Sequence, residues 1–131
     1  MSGAPFTWLA VTVVAAALLF VILLLWSRGR ITPEERERRR RRLVNQAGRI
    51  TDGFVVDVHT AESPSGAVSH LLHYSYDLHG MNYSASQDIT ALGAHLSRDP
   101  RRIAGPVSVK YLPGNPSNSI VICEDWSGLR D

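Results

Sequence analysis

The chain has 131 residues and a formal net charge of +2, but this small value conceals a strong asymmetry along the sequence. Residues 27–42 contain eight arginines and three glutamates, whereas residues 43–131 contain six basic and nine acidic side chains. A mildly acidic C-terminal part argues against a nucleic-acid-binding domain, so no nucleic-acid partner is expected. Cys123 is the only cysteine, which excludes an intrachain disulfide and favours a reducing compartment.

The first predicted element is a transmembrane helix over residues 6–26, after a short N-terminal tail of residues 1–5. The run has no charged residue, and Trp8 and Trp26 lie near its two ends, where indole rings prefer the membrane interface. As a helix, the run extends about 31 Å, which matches the hydrocarbon core of a bilayer. A cleaved signal peptide is the competing interpretation, but no Lys or Arg precedes the run and no small-x-small cleavage site follows it.

The charges that flank this run predict the orientation of the protein. The N-terminal flank carries no charged side chain, whereas Arg28 and Arg30 follow the apolar run directly. The positive-inside rule then places the N-terminus outside and the C-terminal domain in the cytoplasm, which agrees with the single cysteine. We therefore expect a single-pass cell-membrane protein, with the lipid bilayer as its first partner.

An arginine-rich connector over residues 27–48 is expected to contain a short charged helix. Thr32 is suited to cap its N-terminus, Pro33 to occupy the first helical position, and Gly48 to end the helix. Leu43, Val44 and Ala47 are expected to dock the last turn of this helix onto the C-terminal domain.

The candidate contact residues of this helix are six clustered arginines. They are Arg36, Arg38, Arg39, Arg40, Arg41 and Arg42. Two interpretations compete: a solvated helical stalk whose charge enforces topology, and a clamp for anionic lipid headgroups, worth about 1 kcal/mol per arginine near the surface. The helix has no apolar face to hold it flat on a membrane, so lipid binding is expected to be electrostatic and sensitive to salt.

The pattern from residue 49 to residue 125 predicts a small β domain, followed by a tail over residues 126–131. Residues 54–58 are rich in β-branched side chains and predict a first strand. In the second strand, core and outer positions alternate strictly. Its expected core face consists of Val68, His70, Leu72, Tyr74, Tyr76 and Leu78. A tight turn at His79 and Gly80 is expected to lead into the hairpin partner.

The rest of the domain is predicted to add a short helix and two more strands. Asp88 is suited to cap the helix, which extends to residue 96, and residues 98–102 are expected to form a loop. One face of the fourth strand carries Val107, Val109 and Tyr111. Residues 113–117 predict a dense turn and residues 119–123 a final strand. Five short strands with little helix predict a mainly β fold, a small antiparallel five-stranded barrel or curled sheet.

Three segments of this domain together resemble the core pattern of a known family. They are Gly53-x-Val55, Tyr74-x-Tyr76-x-Leu78-x-Gly80-x-x-Tyr83 and Val107-x-Val109-x-Tyr111-x-Pro113-x-Asn115-Pro116-x-x-Ser119. The pattern is similar to that of domain-of-unknown-function family 3592, which comprises small membrane-tethered β domains, mostly bacterial. The resemblance implies a membrane-tethered bacterial protein but supplies no activity. Many members also carry a second transmembrane helix after the domain, which these residues do not contain.

We predict structural rather than chemical roles for nine residues of this pattern. They are Gly53, Tyr74, Tyr76, Gly80, Tyr83, Tyr111, Pro113, Asn115 and Pro116. The tyrosines are expected in the core or at its rim, with hydroxyl groups that need hydrogen-bond partners. Gly80 allows a positive φ in the hairpin, and Asn115 with Pro116 is expected to fix the turn that ends the fourth strand.

No catalytic residue, cofactor or metal site is predicted. His73 and His79 lie on one face of the second strand, but they are about 20 Å apart at the rise of a strand, so a metal site would need His59 from the neighbouring strand. The serines show no nucleophile-elbow pattern and no triad, and Cys123 is expected to be a small buried apolar residue.

A tethered domain without reaction chemistry predicts a binding or scaffold module at the membrane face, with an unknown protein partner. An immunity-type or stress-response membrane protein is the alternative from another functional class. Anionic-lipid sensing through the arginine-rich helix is the third hypothesis.

Overall fold

The computed structural model describes residues 4–96, 99 and 102–130 of the chain. The chain divides into two compact units, residues 1–37 and residues 38–131, and the boundary falls within the second helix. Helix α1 comprises Ala4–Arg28, so the expected N-terminal tail is shorter than predicted. Residues 1–3 of that tail lie outside the described residues.

Helix α1 contains the predicted apolar run of residues 6–26. Among the described residues it is the one helix long and apolar enough to cross a membrane, and none of its apolar window is buried inside the structure. A signal sequence near an N-terminus meets the same criteria. Length and composition therefore suit α1 to anchoring the chain in a bilayer.

Helix α2 comprises Pro33–Ala47, and both of its ends form as the sequence predicts. The Thr32 hydroxyl accepts a hydrogen bond from the Glu35 backbone N–H at 3.2 Å, which satisfies one of the amides that a first helical turn leaves unpaired. At the other end, the Gly48 N–H donates to the Val44 carbonyl at 2.8 Å. A Cβ atom on Gly48 would collide with that carbonyl oxygen, so the helix ends at the one residue without a side chain.

The β domain is built on one five-stranded antiparallel sheet that curls into a nearly closed barrel, and the predicted fold class is confirmed. Its strands are β1 (Arg49–Glu62), β2 (Val68–Leu78), β3 (Met81–Asp88), β4 (Gly105–Leu112) and β5 (Asn115–Ile120). The order across the sheet is β3-β2-β1-β4-β5, so β1 is central. Two short strands, β6 (Ile122–Cys123) and β7 (Trp126–Ser127), form a separate two-stranded sheet.

Gly53 lies where β1 pairs with both neighbours, opposite Tyr76 on β2 and Val107 on β4. A Cβ atom at this position would lie 2.6 Å from a methyl carbon of Val109 and 2.8 Å from the Ser75 carbonyl oxygen. The backbone can therefore pack this closely only with glycine at this position.

Buried and outward-facing residues alternate along β2 as predicted over most of the strand. Leu72, Tyr74, Tyr76 and Leu78 are buried, whereas Val68 is exposed and His70 is half-buried. The difference arises because the first residues of β2 lie beyond the ends of β3 and β4, so β1 is their one partner strand, and His70 is additionally hydrogen-bonded to Ile89 and Thr90. The hairpin of β1 and β2 extends past the barrel there, and the alternation continues without a core beneath it.

Tyr74 and Tyr76 fill the barrel and reach across it to β5. The Tyr74 and Ser119 hydroxyl groups share a hydrogen bond of 2.8 Å, and the Tyr76 hydroxyl donates to the Pro116 carbonyl. Burial raises the pKa of the Tyr76 hydroxyl above its ordinary value of 10.0, so it remains a donor. The Tyr76 ring also stacks on Tyr83, with centroids 5.6 Å apart. The prediction that these hydroxyl groups need partners is confirmed.

Gln87 closes the barrel between β3 and the chain that follows β5. Its side chain is fully buried. The Oε1 atom accepts hydrogen bonds from the backbone N–H groups of Val121 at 2.7 Å and Ile122 at 3.3 Å, and the Nε2 atom donates to the Ile122 carbonyl. The amide side chain thus supplies the donor and acceptors that a neighbouring strand would otherwise provide.

The turn after β2 agrees with the prediction, whereas the turn after β4 differs from it. His79 and Gly80 both have positive φ, 51° and 79°, which is the conformation of a two-residue hairpin turn. The predicted turn over residues 113–117 is wrong, because only residues 113 and 114 form it. Asn115 already pairs with Leu112, so Asn115 and Pro116 begin β5.

The predicted final strand over residues 119–123 is interrupted rather than continuous. β5 ends at Ile120, the chain bends at Val121, and β6 begins at Ile122. The Val121 N–H bonds to the Gln87 side chain instead of to a strand, which is why the ladder stops there. The alternation of apolar residues does not reveal this interruption, because Val121 and Ile122 are both buried.

Residues 126–131, predicted to be a tail, belong to the fold as far as residue 130. The Ser108 N–H donates to the Gly128 carbonyl at 2.8 Å, and the Gly128 N–H donates to the Val121 carbonyl at 2.7 Å. Leu129 pairs with Val107 and packs against the barrel core. Each pairing involves only one or two residues, which is too short to produce a periodic pattern in the sequence.

A 3₁₀-helix, Thr90–His95, stands where a short helix was expected. The Asp88 carboxylate accepts hydrogen bonds from the Thr90 N–H at 2.9 Å and from its hydroxyl at 2.6 Å, two residues away. Leu92 from this helix is buried in the core. Most of the predicted loop over residues 98–102 lies outside the described residues, which include only Asp99 and Arg102 of it.

Candidate functional site

The six candidate arginines of α2 divide between two environments. Arg40 and Arg41 pack against the barrel and Arg38 contacts it while remaining 48% exposed, whereas Arg36, Arg39 and Arg42 are exposed. From Arg38 onward the helix belongs to the same compact unit as the barrel. The second half of α2 is therefore packed on the β domain, so it is not a solvated stalk along its whole length.

The central contact is an ion pair between Arg41 and Glu124, which follows β6. The Nη2 atom of Arg41 lies 2.6 Å from Oε1 of Glu124, and Nε lies 3.5 Å from Oε2. The Arg41 side chain is only 3% exposed and that of Glu124 is 25% exposed. Hydrogen bonding from Arg41 lowers the pKa of the Glu124 carboxyl below its ordinary value of 4.5. Arg38 approaches the same carboxylate at 3.8 Å, so two guanidinium groups share one carboxylate.

Hydrogen bonds from Arg40 and Lys110 to uncharged oxygen atoms complete the contact on either side of this ion pair. The Nη1 atom of Arg40 donates to the Asn118 side-chain oxygen at 2.9 Å and to the Ser119 carbonyl at 3.0 Å. At the C-terminal end of α2, the Lys110 ammonium group donates to the Asn45 side-chain oxygen at 2.5 Å and to its backbone carbonyl at 3.3 Å. A cation at this carbonyl is favourable, because helix carbonyls are left unpaired in the last turn.

The apolar part of the contact is small. Val44 is fully buried and forms a cluster with Ile120 and Cys123, against which Leu112 and Trp126 also pack. Of the three residues predicted to dock the last turn, only Val44 is confirmed; the prediction that Cys123 is buried is also confirmed. Leu43, the residue before Val44, is 54% exposed and Ala47 is also exposed, so the prediction is wrong for these two residues, which lie on the side of the last turn that faces away from the cluster.

The outer face of the sheet carries a polar cluster and an apolar patch. His59 lies 3.2 Å from Asp57, its ring is 4.9 Å from that of His73, and His73 is hydrogen-bonded to the Ser86 hydroxyl at 2.5 Å. His59 and His73 are thus brought together by neighbouring strands. Within the described part of the chain, however, no three His, Cys, Asp or Glu side chains are grouped so as to hold a metal ion.

The apolar patch lies on the central strand, β1. Ile50, Phe54 and Val56 are each more than half exposed there, and Val56 is the extra residue of a β-bulge between Val55 and Asp57. Because β1 is flanked by β2 and β4, these side chains project from the middle of the sheet rather than from its edge. Exposed apolar residues on the face of a sheet are candidates for a protein contact surface.

The sequence pattern did not reveal Glu124 and Gln87, two residues that join distant segments of the domain. Glu124 binds an arginine 83 positions earlier, and Gln87 binds backbone groups 34 and 35 positions later. The one available signal for Gln87 was its place on the core face of the alternating strand, where a polar residue must find partners. No signal in the sequence connects Glu124 with Arg41.

Comparisons of the chain with protein-family models, with well-characterised proteins and with solved structures found no match. The structure defines the architecture of the chain: an apolar N-terminal helix, an arginine-rich second helix and a small β-barrel. The resemblance to domain-of-unknown-function family 3592, and the bacterial origin that it implies, stay predictions.

Proposed function

We propose that the protein is a membrane-anchored binding module, in which α1 holds the β-barrel at one face of a cell membrane. The observation that carries the proposal is the apolar helix α1, whose apolar window has no part buried inside the structure. Uncovered apolar surface of this length is costly in water and favourable in lipid, which supports a retained anchor. The arginines that follow α1 support a cytoplasmic β-barrel and an N-terminus outside.

Membrane extraction tests the anchor. The unaltered full-length chain is expected to stay with membranes at alkaline pH and to keep its N-terminal residues by intact mass. A variant with Val14→Arg and Leu18→Arg should be released, because each arginine at the centre of a bilayer costs about 2.5–3.5 kcal/mol. Substituting Arg28→Gln and Arg30→Gln provides the matched control, because it leaves the apolar run intact and should not release the chain. A soluble mature chain that lacks residues 1–26 would contradict the proposal.

The apolar patch on β1 supports a protein partner for the barrel. A photo-crosslinking amino acid in place of Phe54, which is 52% exposed, is expected to give one reproducible adduct in native membranes. The same amino acid in place of Asn82, an exposed residue near the hairpin turn, provides the matched control and should give none. Equal adducts from both positions would mean that the patch is ordinary surface.

Contact with anionic lipid headgroups is a second candidate function, and the exposed arginines favour it. Arg39 and Arg42 lie on the part of α2 that is exposed, and guanidinium groups bind phosphate in a bidentate manner. Photoactivatable phosphatidylserine is expected to crosslink to α2 in the unaltered chain, and the combined substitutions Arg39→Gln and Arg42→Gln should weaken this crosslink. Equal crosslinking by photoactivatable phosphatidylcholine would exclude recognition of negative charge.

A further inference from the structure

We propose that His59 and His73 form a binding site for a divalent transition-metal ion, such as Zn²⁺, on the outer face of the sheet. The site goes beyond the proposed membrane anchor and does not depend on it, because both residues belong to the β domain. The two histidines supply the protein ligands, and water completes the coordination of the ion. Asp57 and Ser86 hold the two rings and do not bind the ion themselves.

The separation of the two rings is the first observation that points to an ion. The ring centroids of His59 on β1 and His73 on β2 are 4.9 Å apart, with an angle of 73° between the ring planes. Imidazole nitrogens bind Zn²⁺ at about 2.0–2.1 Å, so two rings on one ion, with a bond angle of about 90–109°, have centroids about 4.5–5.2 Å apart. The two strands therefore already hold the rings at the distance that a shared ion requires.

A β-bulge brings His59 to the same face of the sheet as His73. Val56 is the extra residue of this bulge, so Asp57 rather than Val56 lies opposite His73, and His59 follows two residues later. Successive side chains of a strand point to opposite faces, so without the extra residue His59 would point to the other face. Bulges are frequent beside functional sites, where they redirect a side chain in this way.

Each ring also has a partner for the nitrogen that would not bind the ion. Nε2 of His59 lies 3.2 Å from a carboxylate oxygen of Asp57, and Nδ1 of His73 lies 2.5 Å from the hydroxyl oxygen of Ser86. A carboxylate favours a proton on Nε2 of His59, and a hydroxyl oxygen can accept a hydrogen bond from Nδ1–H of His73. The lone pairs on Nδ1 of His59 and Nε2 of His73 are then available to an ion. Metal-binding histidines generally donate their second N–H to such a partner, which fixes the orientation of the ring.

The site is open to solvent, so an ion can enter it and keep water ligands. The side chains of His59 and Asp57 are 64% and 58% exposed, and His73 and Ser86 line a surface pocket with Val56. Imidazole nitrogen suits Zn²⁺, Cu²⁺ and Ni²⁺, whereas Mg²⁺ and Ca²⁺ prefer oxygen ligands. The expected ligand is therefore a transition-metal ion rather than an alkaline-earth ion.

Zn²⁺ binding to the full-length chain in detergent micelles, without a polyhistidine tag, tests the site by isothermal titration calorimetry. The unaltered chain is expected to bind one Zn²⁺ ion. Ser86→Ala should weaken binding by about tenfold, because it removes the partner that orients His73, and His59→Gln or His73→Gln should weaken it by about 100-fold, because each removes a ligand. His79→Gln is the matched control: His79 is exposed in the turn that follows β2, so the same chemical change there should leave the affinity unchanged.

No binding of Zn²⁺ by the unaltered chain would overturn the proposal, and so would an unchanged affinity of the variants His59→Gln and His73→Gln. Equal weakening by His79→Gln would also contradict it, because the ion would then bind to exposed histidines in general. NMR of the histidine ring signals in the unaltered chain remains decisive even if a variant fails to fold. The signals of His59 and His73 should shift on addition of Zn²⁺ while those of His79 do not, and the opposite pattern would exclude the site.

Discussion

Replacing Gln87 by methionine should remove a large share of the stability of the barrel. Methionine has a similar volume and fills the same space, but it cannot bond to the backbone of Val121 and Ile122. The substitution leaves two buried N–H groups and one carbonyl without their partner. An unsatisfied buried group costs about 1–3 kcal/mol, and one of the three bonds is long, so the expected loss is about 3–6 kcal/mol. A domain of this size is stable by about 5–14 kcal/mol in total.

Denaturant unfolding of the full-length chain, followed by circular dichroism in detergent micelles, measures this loss. Gln46→Met is the matched control, because Gln46 is exposed on α2 and the same chemical change there should alter stability by less than about 0.5 kcal/mol. If Gln87→Met costs less than about 1 kcal/mol, the closure of the barrel does not depend on this side chain and the reasoning is refuted.

Three further predictions concern the tyrosines, the glycines and the ion pair. Tyr74→Phe should lower the free energy of unfolding by about 1–2 kcal/mol, because it removes the buried hydroxyl that bonds to Ser119. Tyr83→Phe is the control in the same denaturation experiment and should be nearly neutral, because the Tyr83 hydroxyl is exposed. Equal losses for the two variants would contradict the role of the buried hydroxyl. Gly53→Ala should destabilise the barrel by about 1–3 kcal/mol, because its Cβ would collide with neighbouring atoms. Gly93→Ala should not destabilise it, because no atom lies within 4 Å of the added Cβ. Equal melting temperatures for the two variants would contradict this prediction. The lowered pKa of Glu124 means that its contribution to stability is fully present above its ordinary pKa of 4.5 and is lost as the pH falls through the lower folded-state pKa. The stability difference between the unaltered chain and the variant Glu124→Gln should therefore shrink on acidification, and a constant difference across that pH range would exclude this ion pair as its cause.

Features that depend on neighbours in sequence could be predicted correctly. The cap at Thr32 and the end at Gly48 follow from backbone groups that every helix leaves unpaired, and the structure forms both. The turn at His79 and Gly80 and the buried face of β2 follow from positive φ and from the two-residue period of a strand. In each case the interacting groups are at most a few residues apart, so the pattern alone contains the information.

The candidate site was predicted only in part, because its partners come from distant segments. The sequence marked the arginine cluster of α2, but it did not distinguish Arg41, which is buried, from Arg42, which is exposed. Both are arginines in the same run, and only the position of the barrel relative to this part of the helix separates them. Whether these arginines bind lipid or a protein partner stays a prediction.

The amino-acid sequence by itself determined the apolar N-terminal helix, the charged second helix, and a mainly β domain with its tyrosine-rich core face. Each of these follows from composition, capping residues or periodicity, which act within a few residues along the chain. Only the tertiary structure decided that Gln87 closes the barrel, that residues 126–130 belong to it, and that Glu124 receives Arg41. Those contacts join groups that are brought together when the sheet curls, and a curled sheet sets their distances through its register and twist rather than through any local pattern of residues.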